Sequence, residues 1–131
     1  MNNRNIVFVA PGRAEIVERP MPMVSDGRVL VRLVRSCISS GTERAQLTGA
    51  PDVAISIFST APDGQVTWPR QIGYSSSGVV EAVGAGVSSV RVGDRVSVSW
   101  STHAQFVALP EEQVYRIPEG VSFEDAALSH I

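Results

Sequence analysis

Apolar residues in this chain of 131 residues mostly recur at every second position, in short runs separated by glycine and proline. In the longest run, residues 27–38, valine and leucine alternate with Arg28 and Arg32, as a half-buried strand requires. Arg35 falls on the apolar parity, which predicts a bend at that position. The dominant period of two therefore indicates β-structure.

Further strand patterns lie on both sides of this run. Ile6–Ala10 and Ala14–Glu18 flank the turn dipeptide Pro11-Gly12 and predict a hairpin. Four more strands are predicted over Gly78–Val83, Val96–Trp100, Ala104–Leu109 and Gln113–Ile117. In the second of these, valines and Trp100 alternate with serines, which predicts that one face alone is buried. Short strands between glycine and proline turns favour a partly open β-barrel over an α/β sheet.

Two or three short helices complete the predicted fold, which is mainly β. Ser40 and Glu43 fit a capping box, with Ser40 as the N-cap, and Ser122 with Asp125 repeats the pattern. One apolar face is predicted for the second helix, formed by Phe123, Ala126, Ala127 and Ile131. Because so short a helix is marginal without a partner, the chain is expected to be one domain, residues 1–131, of a longer protein.

The segment Thr48–Arg70 is the least regular part of the sequence. Val53–Phe58 within it fits either a helix or a strand, between prolines. A long irregular loop in a compact domain is often functional.

Composition excludes several functional classes. A formal net charge of -2 and a pI near 5.6 argue against nucleic-acid binding, which needs a clustered basic surface. The single cysteine, Cys37, excludes an internal disulfide and a zinc site built on paired thiolates, and is expected to be buried and inert. The first apolar stretch is too short for a signal peptide or a membrane span, so a cytoplasmic protein without membrane contact is expected.

Two glycine-rich segments resemble functional motifs but lack a feature that each motif requires. Val83–Ser88 resembles a dinucleotide fingerprint, but a strand pattern follows where a helix would have to receive the pyrophosphate. Gly73–Gly78 lacks the spacing of a hydrolase nucleophile elbow. Candidate metal ligands are scattered, with His103, His130 and Cys37 far apart, and no metal site is predicted.

With these elements in order, nearly the whole chain resembles the N-terminal, GroES-like domain of the medium-chain dehydrogenase/reductase superfamily. The resemblance rests on the opening hairpin and long strand and on three further blocks. These blocks are Ile38–Glu43, Gly73–Val98 and the exit segments His103–Pro110 and Ile117–Ala127.

The resemblance also shows where this sequence departs from the zinc-dependent members. Ser40 stands where they have a cysteine ligand, and Gly73-Tyr74-Ser75 stands where they have Gly-His-Glu. Hydroxyl groups are poor substitutes for thiolate and imidazole on zinc. No four-cysteine loop follows the strand that ends near Val98. The chain is therefore more similar to zinc-independent members.

By this resemblance, the chemistry would be hydride transfer between a nicotinamide and a carbonyl, alcohol or activated alkene. Thr42 matches the family hydroxyl that relays a proton from substrate, Tyr74 would face the vacated metal position, and Ser40 would be a supporting donor. Gly41 and Thr42 would lie next to the cofactor. The alternative is structural: Ser40 and Glu43 cap a helix, Thr42 occupies its first turn, and Tyr74 packs in the barrel.

The resemblance implies that this domain is part of a larger enzyme. NAD or NADP would be bound mainly by a Rossmann domain of the same protein, a small-molecule substrate would lie between the two domains, and the whole protein would be a homo-oligomer. The chain alone is not expected to be active, because half a site cannot orient the reactants. Two rivals remain: a stand-alone GroES-like binding or assembly module, and a degenerate protein that binds nicotinamide without catalysis.

Overall fold

The computed structural model describes residues 2–49 and 66–131; the Val53–Phe58 element predicted above lies outside these ranges. Within them the chain is mainly β, with seven strands, two α-helices and a short 3-10 turn. The elements are β1 (Asn2–Ala10), β2 (Arg13–Pro20), β3 (Arg28–Ser36), α1 (Ser40–Thr48), β4 (Ser75–Val83), β5 (Arg95–Ser99), β6 (Phe106–Pro110), the 3-10 turn (Glu111–Gln113), β7 (Val114–Arg116) and α2 (Phe123–Ala127).

The predicted hairpin is confirmed. β1 and β2 pair in antiparallel fashion around Pro11-Gly12, and Gly12 has a φ of 72°, which glycine adopts at no steric cost. The Gly12 N–H donates to the carbonyl of Leu47 at 2.7 Å, so the hairpin turn is fastened to α1. β1 also bonds to the chain that enters β6, where the Ile6 N–H donates to the His103 carbonyl at 2.9 Å.

A five-stranded antiparallel sheet forms the rest of the barrel, in the order β6-β3-β4-β5-β7. Valines from every strand of the sheet, with Val90 from the loop between β4 and β5, meet on its inner face and form the core, consisting of Val29, Val31, Val80, Val90, Val96, Val98, Val107 and Val114. The hairpin and this sheet remain separate sheets, so the predicted partly open, GroES-like barrel is confirmed.

The two central strands approach very closely. A Cβ built on Gly78 of β4 would lie 2.2 Å from the carbonyl oxygen of Arg32 on β3, so only glycine fits there. One residue farther along β3, the register shifts between Leu33 and Arg35. This irregularity is the predicted bend, and it turns Arg35 outward to an ion pair with Glu124 at 2.9 Å.

The first predicted cap is wrong by one residue. Ser39, not Ser40, is the N-cap of α1, and its side chain makes no capping hydrogen bond. The Glu43 carboxylate accepts a hydrogen bond from the Ser39 N–H, so it reaches back four residues rather than three. Ser40 is consequently the first residue of the helix.

The second predicted cap is confirmed. The Ser122 hydroxyl accepts a hydrogen bond from the Asp125 N–H at 3.0 Å, and Ala126 and Ala127 are buried against the sheet. The prediction for Ile131 was wrong, because its side chain is 59% exposed. α2 ends at Ala127, and beyond it the chain no longer follows the helical spacing that would return residue 131 to the apolar face.

Two burial predictions also need correction. In β5 both faces are covered, since Ser97 is buried beneath α2 and the loop after it, whereas Trp100 lies beyond the strand end with 55% of its surface exposed. Cys37 is half-buried rather than buried. The Val83–Ser88 segment is a turn that leads toward β5 without an intervening helix, as predicted.

Within residues 2–49 and 66–131, none of the helices combines the length and the apolar character needed to cross a membrane.

Candidate functional site

The sequence-predicted residues Ser40, Gly41 and Thr42 form the first turn of α1. Ser40 and Gly41 are exposed and Thr42 is half-buried. A short segment connects β3 to this turn. Within it, the Cys37 N–H donates a backbone hydrogen bond to the Ser75 carbonyl at 3.0 Å. The helix start is thus tied to the beginning of β4.

Tyr74 lies in the turn that precedes β4, next to Gly73. Gly73 has a φ of 138°, and a Cβ there would lie 2.7 Å from the carbonyl oxygen of Ser101. Tyr74 is half-buried, and its carbonyl accepts a hydrogen bond from the Trp100 N–H at 2.8 Å. The rings of Tyr74 and Trp100 are 6.1 Å apart between centroids and tilted by 53°, which is a favourable aromatic arrangement.

The backbone of Trp100 has a φ of 56°, a left-handed conformation that is uncommon for a bulky residue. Strained residues of this kind cluster at functional sites. The sequence pattern had placed Trp100 on the buried face of a strand; the structure places it beside Tyr74 at the end of that strand.

A buried acid–imidazole pair joins α1 to the turn that contains Trp100. His103 Nε2 forms a short hydrogen bond with Glu43 Oε1, and the side chains are only 7% and 4% exposed. On the other side of the ring, His103 Nδ1 lies 2.8 Å from the hydroxyl oxygen of Ser36. Both ring nitrogens are therefore engaged, which satisfies two groups that would be costly to bury alone.

Sequence reasoning missed this pair. Glu43 was interpreted only as part of a cap, and His103 as an isolated histidine, because 60 residues separate them. No local pattern indicated the pair; only the structure shows that Glu43 and Gln46, three residues apart on α1, are both buried.

Of the three consecutive serines of β4, Ser75 and Ser77 face the side of the sheet that α2 covers, and Ser76 faces the other side. The Ser75 hydroxyl donates to the Ala127 carbonyl, and the Ser77 hydroxyl donates to the Phe123 carbonyl at 2.6 Å, so both hold α2. The Ser76 hydroxyl pairs with that of Ser101 at 2.6 Å. Their bonds agree with the rejection of a nucleophile elbow.

His130 also contacts the side of the sheet that α2 covers. Its N–H donates to the Ser75 hydroxyl at 3.2 Å, and its ring packs 5.0 Å from that of Tyr115. Burial lowers the pKa of His130, because the charged imidazolium loses hydration there.

The side chains that the resemblance aligns with the zinc ligands of other members do not suit a zinc ion. Ser40 and Tyr74 offer a hydroxyl and a phenol, whereas zinc sites use thiolate, imidazole and carboxylate. Among the residues that the structure describes, no three His, Cys, Asp or Glu side chains are grouped so that they could hold a metal. We therefore derive no chemical step through zinc.

A cavity of about 350 Å³ opens between α1 and the hairpin. Its lining is apolar apart from Ser40, Glu43, Arg44 and His103, with Ile6, Phe8, Ala14, Ile38 and Leu47 as the other members. The first turn of α1 thus lies beside a space in which an apolar group and an acid–imidazole pair meet.

Comparison with known proteins agrees with this architecture. The sequence profile of the alcohol dehydrogenase GroES-like domain matches residues 25–119. The chain belongs to this family, as the resemblance in its motifs indicated.

Two curated relatives illustrate the range of the family. Human synaptic vesicle membrane protein VAT-1 homolog-like is 30% identical over 122 residues, which are 92% of this chain and 26% of the relative. (R,R)-butanediol dehydrogenase of Bacillus subtilis is 28% identical over 142 residues, covering 88% of this chain and 40% of the relative. The chain thus spans about a quarter to two-fifths of the length of these proteins.

Solved structures share the fold. The human VAT-1 homolog-like structure superposes with a TM-score of 0.79 at 28% identity, covering 97% of this chain and 39% of that protein. Escherichia coli quinone oxidoreductase, solved in complex with NADPH, gives a TM-score of 0.76 at 22% identity over 96% of this chain and 36% of that protein.

Proposed function

We propose that this chain is the substrate-side domain of a zinc-independent, NAD(P)-dependent oxidoreductase of the medium-chain dehydrogenase/reductase type. The observation that carries the proposal is the convergence of three segments. The first turn of α1, the turn at Tyr74 and the turn at Trp100 are joined by the Glu43–His103 pair and by the Tyr74–Trp100 backbone bond. This cluster lies in a chain of the alcohol dehydrogenase GroES-like family.

The chemistry that this cluster could support is polarisation of a substrate oxygen by neutral donors. When a nicotinamide is bound, it supplies or removes the hydride. The Thr42 hydroxyl and the Tyr74 phenol would then donate hydrogen bonds to the oxygen on which negative charge develops, with Ser40 as a further donor. Gly41 and Thr42 would lie against the cofactor. Trp100 and Tyr74 together would offer an aromatic surface to the substrate.

The remaining parts of the proposal concern the whole protein. We expect a Rossmann domain of the same protein to bind NAD or NADP, with a small-molecule substrate between the domains, and the protein to be a cytoplasmic homo-oligomer. The 131-residue chain alone would be inactive, because orientation of the two reactants supplies much of the rate and needs both domains. Coverage supports the second domain among these expectations, since the relatives are much longer than the part that matches this chain.

The test uses the protein that contains this domain together with its nicotinamide-binding domain. Consumption or formation of NAD(P)H is followed with a panel of aldehydes, ketones, quinones and alcohols. Thr42→Val should lower kcat by about 100-fold or more, because one donor to a developing oxyanion is lost. Thr42→Ser keeps the hydroxyl and is the matched control, which should retain most of the activity.

The other outcomes separate the rival functions. Tight NAD(P)H binding without turnover of any panel member would favour the degenerate, non-catalytic protein. A ring-shaped oligomer of the 131-residue chain in sedimentation, without nicotinamide binding, would favour the assembly module. If kcat is unchanged in both Thr42→Val and Tyr74→Phe, the protein is still an oxidoreductase, but neither residue has the catalytic role proposed for it.

A further inference from the structure

His103 separates two cavities. One is the space of about 350 Å³ beside Ser40 and Glu43. The other, of about 360 Å³, lies on the side of Ser36 and is lined by Arg4, Asn5, Ile6, Ile16, Leu33, Ser36, His103, Ala104 and Gln105. The imidazole belongs to both linings, and it is itself only 7% exposed. It therefore forms part of the partition between the two cavities.

Each ring nitrogen faces a proton-carrying group on a different side of this partition. Nε2 bonds to the Glu43 carboxylate, which lines the cavity next to Ser40, and Nδ1 bonds to the hydroxyl of Ser36, an exposed residue at the end of β3. An imidazole can accept a proton at one nitrogen and release one from the other, and it can do so near neutral pH.

The charges around the pair are few. Arg4 of β1 lines the cavity on the Ser36 side, and Arg44 of α1 lines the cavity on the Glu43 side. Among the residues that the structure describes, these two arginines are the ionisable side chains that share the cavity linings with Glu43 and His103. An arginine side chain offers donors and no acceptor, so the side chains here that can both take up a proton and pass one on are Ser36, His103 and Glu43.

We propose that Ser36, His103 and Glu43 form a proton relay between solvent and the cavity beside Ser40. This inference rests on the proposed function. In carbonyl reduction, the nicotinamide would deliver a hydride to the carbonyl carbon, and one proton would be needed at the oxygen. That proton enters at the Ser36 hydroxyl, passes through Nδ1 and Nε2 of His103 to Glu43, and reaches the cavity that Glu43 lines together with Ser40. Alcohol oxidation sends one proton outward along the same groups.

The first test follows proton exchange and requires no activity. NMR of the 131-residue chain labelled with ¹⁵N in histidine measures exchange of the His103 ring proton with solvent. Ser36→Ala should slow this exchange by at least about tenfold, because a positioned proton carrier usually accelerates proton transfer by more than that. Ser129→Ala is the matched control, since the Ser129 hydroxyl donates to the Ala126 carbonyl and lies outside the contact between Ser36 and His103. Equal exchange in Ser36→Ala and the parent chain would overturn the relay.

The second test uses the protein with its nicotinamide domain. His103→Gln should lower kcat by about 100-fold with little change in KM, as expected when a proton carrier is lost. Small buffers such as imidazole should restore part of the rate, and the solvent isotope effect should increase because proton delivery becomes limiting. A loss that no buffer restores, with an unchanged solvent isotope effect, would overturn the relay and leave a structural role.

These two tests distinguish failure of the relay from failure of the proposed function. If no substrate is turned over, the oxidoreductase proposal fails, while the exchange rates still decide whether protons pass through Ser36 and His103. If His103→Gln does not fold, both measurements are made on Ser36→Ala, because Ser36 is exposed and its substitution is compatible with folding.

Discussion

The two helices of this domain are attached to the barrel by different chemistry. α1, which carries the proposed donors, is held by the buried pair between Glu43 and His103. α2 is held by neutral hydroxyls, with Ser75 and Ser77 donating to its carbonyl groups. A buried acid–imidazole pair is strongly destabilising when it loses one partner, whereas a hydroxyl–carbonyl bond contributes modestly. The difference indicates that the position of α1 is specified more strictly than that of α2.

The largest effect is expected at α1. Glu43→Ala leaves the His103 ring buried without its carboxylate and the Ser39 N–H without its acceptor. Removing one partner of a buried pair costs about 3–5 kcal/mol, which would unfold a large fraction of a marginally stable domain. Urea unfolding followed by tryptophan fluorescence measures the loss.

Glu43→Gln is the control for that variant. The amide oxygen can still accept from one of the two donors, so we expect a smaller loss, about 1–2 kcal/mol for one weakened hydrogen bond. Equal losses in the Ala and Gln variants would show that the negative charge of Glu43, rather than its hydrogen bonds, holds α1.

An intermediate effect is expected at α2. Ser75→Ala removes the hydroxyl that donates to Ala127 and accepts from the His130 N–H, and leaves a buried carbonyl without its partner. The expected cost is about 1–3 kcal/mol, below that of Glu43→Ala. The same unfolding measurement applies, and a cost above that of Glu43→Ala would reverse the comparison between the helices.

The two helix caps give a smaller and sharper contrast. The Ser122 hydroxyl accepts from the Asp125 N–H, whereas Ser39 makes no side-chain capping bond. Ser122→Ala should cost about 1 kcal/mol and Ser39→Ala clearly less. Thermal unfolding of both variants checks the order, and an equal loss in the two would mean that the Ser39 hydroxyl also caps α1.

The smallest expected effect is on pH dependence. Because burial lowers the pKa of His130, the unfolded chain binds its proton more readily than the folded chain does. The contribution to stability is complete above the ordinary histidine pKa of about 6.5 and is lost as pH falls below it toward the folded value. His130→Gln should therefore show a shallower decline of the urea midpoint from about pH 8 to about pH 5 than the parent chain. An unchanged slope would assign the decline to other groups.

Much of the fold was predictable because strands and caps are local patterns. The period of two in β3, the Pro11-Gly12 turn and the Ser122 cap each depend on a few neighbouring residues, and all are confirmed. The proposed roles of Ser40, Gly41, Thr42 and Tyr74 came from a family resemblance and stay proposals. The structure adds only that these residues lie on two segments joined through His103 and Trp100.

The errors concern burial that a local period does not decide. Ser97 is buried because α2 covers its face of the sheet, Trp100 is exposed because β5 ends at Ser99, and Ile131 is exposed because α2 ends at Ala127. A strand pattern records one buried face and gives no sign that a distant helix covers the other.

The sequence by itself determined that this is a mainly β domain of the alcohol dehydrogenase GroES-like family. The tertiary structure alone decided that Glu43 and His103 meet, that Ser36 completes their contact, and that the ring divides two cavities. The physical reason is the separation along the chain. Hydrophobic alternation specifies each strand locally, but a contact between residues 43 and 103 exists only after the barrel has brought its strands together.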